Sequence, residues 1–186
     1  MGIESENERY SFNRGLVYID QVGRSINETY TLPVGKRSKY VNKANENTFV
    51  YRNADDRLLK VICRAYDDGV AFRYELDNQE SLTIRHELTE WNLSAGTHTW
   101  MMDWIKDYEN FYPERVLDTI TRPAEFLFPV LTLQDEQWML MTEAEVYSMP
   151  AMHLSKEPES TVFRYEYAHE DSVFTVDAAF KTSWKT

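Results

Sequence analysis

Two runs of alternating polarity joined by an acidic turn constrain this chain more than any other stretch. Residues 57–76 read RLLKVICRAYDDGVAFRYEL. Leu59, Val61, Cys63 and Ala65 alternate with Lys60, Ile62, Arg64 and Tyr66. After Asp67-Asp68-Gly69, Val70, Phe72 and Tyr74 alternate with Ala71, Arg73 and Glu75. A period of two sends successive side chains to opposite faces, as in a half-buried strand. Asp-Gly between two such runs signals a hairpin, because both residues tolerate the positive φ of a tight turn. The stretch is predicted to be a central antiparallel hairpin.

The same period recurs along the chain. Residues 16–19, 48–52, 82–86 (with 88–91 as a continuation), 126–133, 152–154, 161–167 and 173–180 read as strands, and WMLM at 138–141 reads as a buried one. Pro129 inside its run implies an edge or a bulge, since proline cannot donate to a ladder. Asp135-Glu136 and residues 169–172, beginning at His169, read as turns. Residues 24–40, polar and containing Pro33 and Gly35, read as a loop or an edge. Between 94 and 112 the spacing of Trp100, Met101, Trp104, Ile105 and Tyr108 suggests a short helix or an aromatic-rich loop. Residues 1–13 read as a disordered or cloning-derived start. About eight to ten short strands, with little helix, predict an all-β sandwich or barrel over residues 14–186. The aromatic content of 14% suits pleated surfaces.

A formal charge of −11 opposes nucleic-acid binding, because phosphates repel an acidic surface. The single cysteine, Cys63, excludes an intrachain disulfide, and its apolar surroundings suggest an inert thiol. No apolar stretch approaches the roughly 18 residues that span a bilayer. Met1-Gly2-Ile3-Glu4 has neither the basic start nor the apolar run of a signal peptide, so an exported protein would have lost its signal.

Local motifs assign no catalytic residue. His86, His98, His153 and His169 are scattered, and GxSxG, HExxH, CxxC and P-loop patterns are all lacking. Asp55-Asp56, Asp67-Asp68 and Asp135-Glu136 sit in turns, whereas glycoside hydrolysis needs two carboxyls held across a sugar. Glu143 and Glu145 follow an apolar run and, at i and i+2 on a strand, would share a face that could hold calcium. Calcium wants six to eight oxygens, more than this segment offers. Trp100, Trp104, Tyr108 and Tyr112 form an aromatic group that suits either core packing or a carbohydrate platform.

The run from Cys63 to Tyr74, CRAYDDGVAFRY, resembles a hallmark of the N-terminal domain of glycoside hydrolase family 97. Further points follow in order: Pro33-Val34-Gly35-Lys36, then Asn45-Glu46 after Ala44 where the family carries an aromatic. Thr142-Glu143-Ala144, Met152-His153-Leu154 and Thr182-Ser183-Trp184-Lys185 complete the series. Ser183 and Lys185 stand where the family has proline and arginine, and strands before Gly15-Leu16 are not recognisable. The resemblance implies an antiparallel β-super-sandwich, mutarotase-like, that precedes a C-terminal (β/α)8 catalytic barrel. It further implies a periplasmic or extracellular enzyme acting on α-glucosides or α-galactosides. It makes Glu143 a ligand to an active-site calcium whose other ligands come from the barrel, and Trp104 or Tyr108 a substrate neighbour. A stand-alone carbohydrate-binding module using the aromatics of residues 100–112 is the other expectation. A mutarotase-like epimerase needs a convergent His and Glu that the sequence does not place.

Overall fold

In the computed structural model the period of two becomes, among the described residues, sixteen strands in three antiparallel sheets. The structure describes residues 2–77, 80–147, 149–168, 173–177 and 179–186, so the turn expected at 169–172 lies outside it. One sheet has six strands: β2 (Val17–Thr31), β3 (Lys39–Arg52), β4 (Leu58–Ala65), β5 (Val70–Leu76), β12 (Glu143–Ala144) and β16 (Trp184–Lys185). Their order is β12-β16-β5-β4-β3-β2. The second runs β7 (Glu90–Asn92), β14 (Val162–Tyr167), β13 (Met152–Lys156), β10 (Ala124–Gln134), β8 (His98–Asp103), β9 (Glu114–Val116), with β11 (Gln137–Met141) also on β10. β1 (Ile3–Ser5), β6 (Leu82–Glu87) and β15 (Phe174–Val176) form the third. One core draws on all three sheets, with Ile3, Leu59, Tyr74, Leu82, Met101, Phe126, Leu154 and Phe163 at its centre. Each such fully buried side chain contributes about 1.5–3 kcal/mol. The fold is the expected all-β super-sandwich.

The central hairpin is β4–β5, in register from Leu59↔Leu76 to Ala65↔Val70. Its turn differs from expectation. Tyr66 N–H donates to the Gly69 carbonyl (2.8 Å), and the positive φ values of the chain fall elsewhere. A four-residue loop reverses the chain without a left-handed residue. The left-handed pair is instead Asp135 (φ 47°) and Glu136 (φ 67°), which join β10 to β11 in the two-residue geometry that needs both.

Pro129 sits at a bulge, as its residue type implied. The Phe128–Pro129 peptide is cis, and the register of β10 on β8 shifts between Leu127 and Leu131. Residues before the shift pair with β13, and those after it with β11.

Of the loop or edge expected over 24–40, the edge is found: residues 24–31 are the far half of β2, an edge strand exposed on both faces. Four other expectations need correction. Residues 98–103 form β8, not a helix, because its large side chains point to both faces. β11 is half-buried, with Trp138 and Leu140 exposed. The run 82–91 divides between two sheets at Leu88-Thr89. The start is not disordered: β1 pairs with β6, and Ile3, Tyr10 and Phe12 are buried. A Cβ on Gly2 would lie 2.1 Å from the Phe12 carbonyl oxygen, so only glycine permits this close approach.

Candidate functional site

Except for Pro33-Val34-Gly35-Lys36, which lies in the exposed connection between β2 and β3, the quoted motifs contribute to the seam where β16 enters between β5 and β12. Successive residues of a strand face opposite ways, so Trp184 and Lys185 serve opposite faces of the sheet, and both are buried.

On the outer face, Arg64 from β4 and Arg73 from β5 clamp the Trp184 ring, with guanidinium carbons 4.2 and 4.3 Å from its centroid. Cation–π contacts of this kind contribute about 0.5–2 kcal/mol each. Glu46 accepts from Arg64 Nε (2.7 Å) and Arg24 Nε (2.5 Å). Burial works against the Glu46 charge, but the two arginines outweigh it and hold the carboxyl below its ordinary value. Glu145 accepts from Arg73 Nη1 (2.8 Å) and Trp184 Nε1 (3.2 Å).

On the core face, Lys185 Nζ donates to Glu87 Oε2 (2.7 Å), and both side chains have no exposed surface. Thr89 Oγ1 donates to Glu87 Oε1 (2.6 Å), so its 3.1 Å contact with Tyr74 makes the phenol the donor. Burial pushes the Glu87 carboxyl up against the pull of Lys185, and it also raises the Tyr74 phenol. Thr182 is fastened to Tyr74 by two bonds of 3.0 Å, Thr182 N–H to the Tyr74 carbonyl and Tyr74 N–H to Thr182 Oγ1.

Glu143 stands at the rim of this seam on β12, opposite Lys185 and half-buried. Ser183 Oγ donates to its Oε1 (2.6 Å) and Met152 N–H to its Oε2 (2.8 Å). The serine that stands in place of proline therefore helps orient this carboxylate. Two donors leave about two of a carboxylate's four lone-pair sites open. Glu145 does not share this face. Its φ of 59° turns the chain out of the strand, and its carboxylate is taken by Arg73 and Trp184. The i, i+2 pairing read from the sequence is thereby corrected.

The aromatic group divides. Trp100 packs on Trp138 of β11 (centroids 5.2 Å), whereas Trp104 lies 6.4 Å from the ring of His153. Trp104, Tyr108, Phe111 and Tyr112 stay exposed on the loop after β8. Burial, with a smaller contribution from the Glu143 carboxylate, raises the Tyr108 phenol. His86 and His98 are exposed, and His98 contacts Glu114 (2.7 Å). His153 is buried between Glu125 and Glu166, a His–Glu convergence that sequence reasoning missed. Its signal was only the outward-facing positions of three strands whose pairing was unknown. Burial pushes the Cys63 thiol up, as suits an inert residue.

Layered antiparallel sheets around one core define a sandwich domain, with the Glu143 carboxylate oriented at its seam. The chain belongs to the family described as Glycosyl-hydrolase 97 N-terminal, whose profile matches residues 1–186. A probable retaining alpha-galactosidase of Streptomyces bingchenggensis (strain BCW-1) is 26% identical over 190 residues. That match covers 100% of this chain and 28% of the relative. A glycoside hydrolase family 97 enzyme from Pseudoalteromonas sp. strain K8, solved with acarbose, superposes with a TM-score of 0.85 at 23% identity, covering 99% of this chain and 29% of that one. A beta-arabinopyranosidase structure gives a TM-score of 0.86 at 22% identity, covering 99% and 33%. The chain thus spans about a third or less of these relatives.

Calcium can be tested against these residues. Glu143 offers a hard oxygen held in place by two donors, but the Glu145 carboxylate is taken by Arg73 and Trp184. The residues fit a cation as one donated ligand, and do not form the six to eight oxygens of a full site.

Proposed function

We propose that this chain is the N-terminal sandwich of an exported α-glycoside hydrolase of family 97, acting on an α-glucoside or α-galactoside, and that it is not catalytic alone. The observation that carries the reading is coverage. The whole chain matches, yet it accounts for only 28–33% of the relatives' lengths. In the complete enzyme the sandwich buttresses the catalytic barrel, and its rim faces the active site. Glu143 donates one oxygen to a calcium ion, which when bound supplies a hard positive charge for sugar or carboxylate oxygens. Ser183 and Met152 N–H fix the direction in which that oxygen is offered. Trp104 and Tyr108, exposed on the loop after β8, are the substrate neighbours in this reading, which their exposure supports.

Two measurements test this. The chain alone should not hydrolyse nitrophenyl α-glucoside or α-galactoside, and turnover would overturn the reading. In the complete enzyme, Glu143→Gln should weaken calcium affinity by about tenfold or more, because a charged ligand becomes a neutral one. An unchanged affinity would remove Glu143 from the site. The carbohydrate-binding-module reading predicts binding heat when the chain alone meets maltooligosaccharides or galactosides. The proposed role predicts none, since the exposed aromatics then form only part of a site.

A further inference from the structure

Three adjacent strands of the seven-stranded sheet each send one ligand-bearing side chain to the outer face. Glu125 comes from β10, His153 from β13 and Glu166 from β14. The register sets Glu125 opposite Ser155 and His153 opposite Glu166. Strands lie about 4.8 Å apart, so the sheet brings the three side chains together on rigid backbone. Their ligand atoms all lie within 4.8 Å of one another. His153 Nε2 is 3.8 Å from Glu125 Oε2 and 3.9 Å from Glu166 Oε2.

His153 supplies the independent observation. It is only 7% exposed, and neither ring nitrogen has a hydrogen-bond partner among the described residues. A buried imidazole normally pairs at least one nitrogen, because an unpartnered buried polar group costs free energy. Here its Nε2 points between two carboxylates that repel each other, and Trp104 lies beside its ring. A cation between the three would partner Nε2 and neutralise the repulsion together.

We propose that Glu125, His153 and Glu166 form a binding site for a divalent transition-metal ion of zinc type. One nitrogen and two carboxylate oxygens are a donor set suited to zinc, whereas calcium takes oxygens alone. Tetrahedral zinc with bonds of about 2.0–2.2 Å places its ligand atoms about 3.4 Å apart. Only the two glutamates need to close in, and both are half-exposed and able to move. Ser155 Oγ already donates to Glu166 Oε1, which orients that carboxylate as outer groups commonly do around a metal. A three-residue site leaves a fourth position for water.

The test is calorimetry and equilibrium dialysis of the chelator-treated chain with zinc chloride, against Glu125→Gln, Glu166→Gln and His153→Asn. One zinc per chain is expected at micromolar free metal, weakened about tenfold or more by each substitution. Cobalt(II) in place of zinc should give the visible absorption of a four-coordinate site, and His153→Asn should abolish it. Calcium chloride should give no response that these substitutions alter. Circular dichroism checks that His153→Asn still folds. The two glutamine variants alter only exposed side chains and carry the test if it does not. No zinc bound, or zinc bound by both glutamine variants as tightly as by the unsubstituted chain, would overturn the site.

Discussion

At the scale of single residues, Lys185 and Glu87 place two opposite charges where no water reaches. Burial of either alone is costly, and their pairing with Thr89 and Ser183 is what the fold tolerates. Lys185→Met should therefore destabilise the domain by about 3–5 kcal/mol, since it strands the carboxylate. Adding Glu87→Leu should recover most of that loss, and urea unfolding of the single and double variants checks it. Glu46 makes the second prediction. Its carboxyl is held low by Arg24 and Arg64, so the folded state binds fewer protons than the unfolded chain in acid. Its contribution is present above the unfolded value, about 4.3 for Glu, and fades as pH falls through the lower folded value. Glu75, held low by Lys60 and Lys181 against its burial, acts in the same direction, and Glu87, whose carboxyl is raised, acts in the opposite one. Glu46→Gln should cost stability at pH 7 and little near pH 3, as urea midpoints at the two values would show. Motif order made Glu143 and the arginines legible in the sequence. The burial of Lys185 was not, because a lysine next to the last residue reads as solvated until its strand partners are known.

At the scale of elements, strands with one wet face were legible and strands wet on both were not. β4, β5, β6 and β14 announce themselves because their inward positions are apolar. β2 buries only Ile26 along its length, so its sequence reads as loop or edge. Beyond Asn45, where pairing with β4 ends, β2 and β3 continue as a two-stranded ribbon with Tyr30 stacked on Tyr40 (5.4 Å). Isolated ribbons are marginal in water, since each strand lacks a second neighbour. Amides of residues 27–31 and 39–43 should exchange with solvent orders of magnitude faster than those of β4 and β5. Hydrogen exchange read residue by residue checks this, and equal protection would mean that something else covers the ribbon.

At the scale of the whole molecule, closure depends on the last strand made. β16 fills the gap between β5 and β12, clamps Trp184 between two arginines and neutralises Glu87. The motifs that identify the family are these closing contacts, so the sequence signature is chiefly a signature of assembly. Under the proposed role Glu143 is the residue of this seam that meets the substrate site, and a site shared with another domain leaves only its own share in each sequence. The energetics of closure can be tested by ending the chain after Lys181. That change strands Glu87, at about 3–5 kcal/mol, and forfeits the burial of Trp184, at about 2–3 kcal/mol. A domain of this kind has only about 5–15 kcal/mol in total. The shortened chain should therefore populate its unfolded state at room temperature. The loss should show in near-ultraviolet circular dichroism and in the thermal transition. A sharp transition within a few degrees of the full chain's would mean that β16 is a passenger and not the closing element.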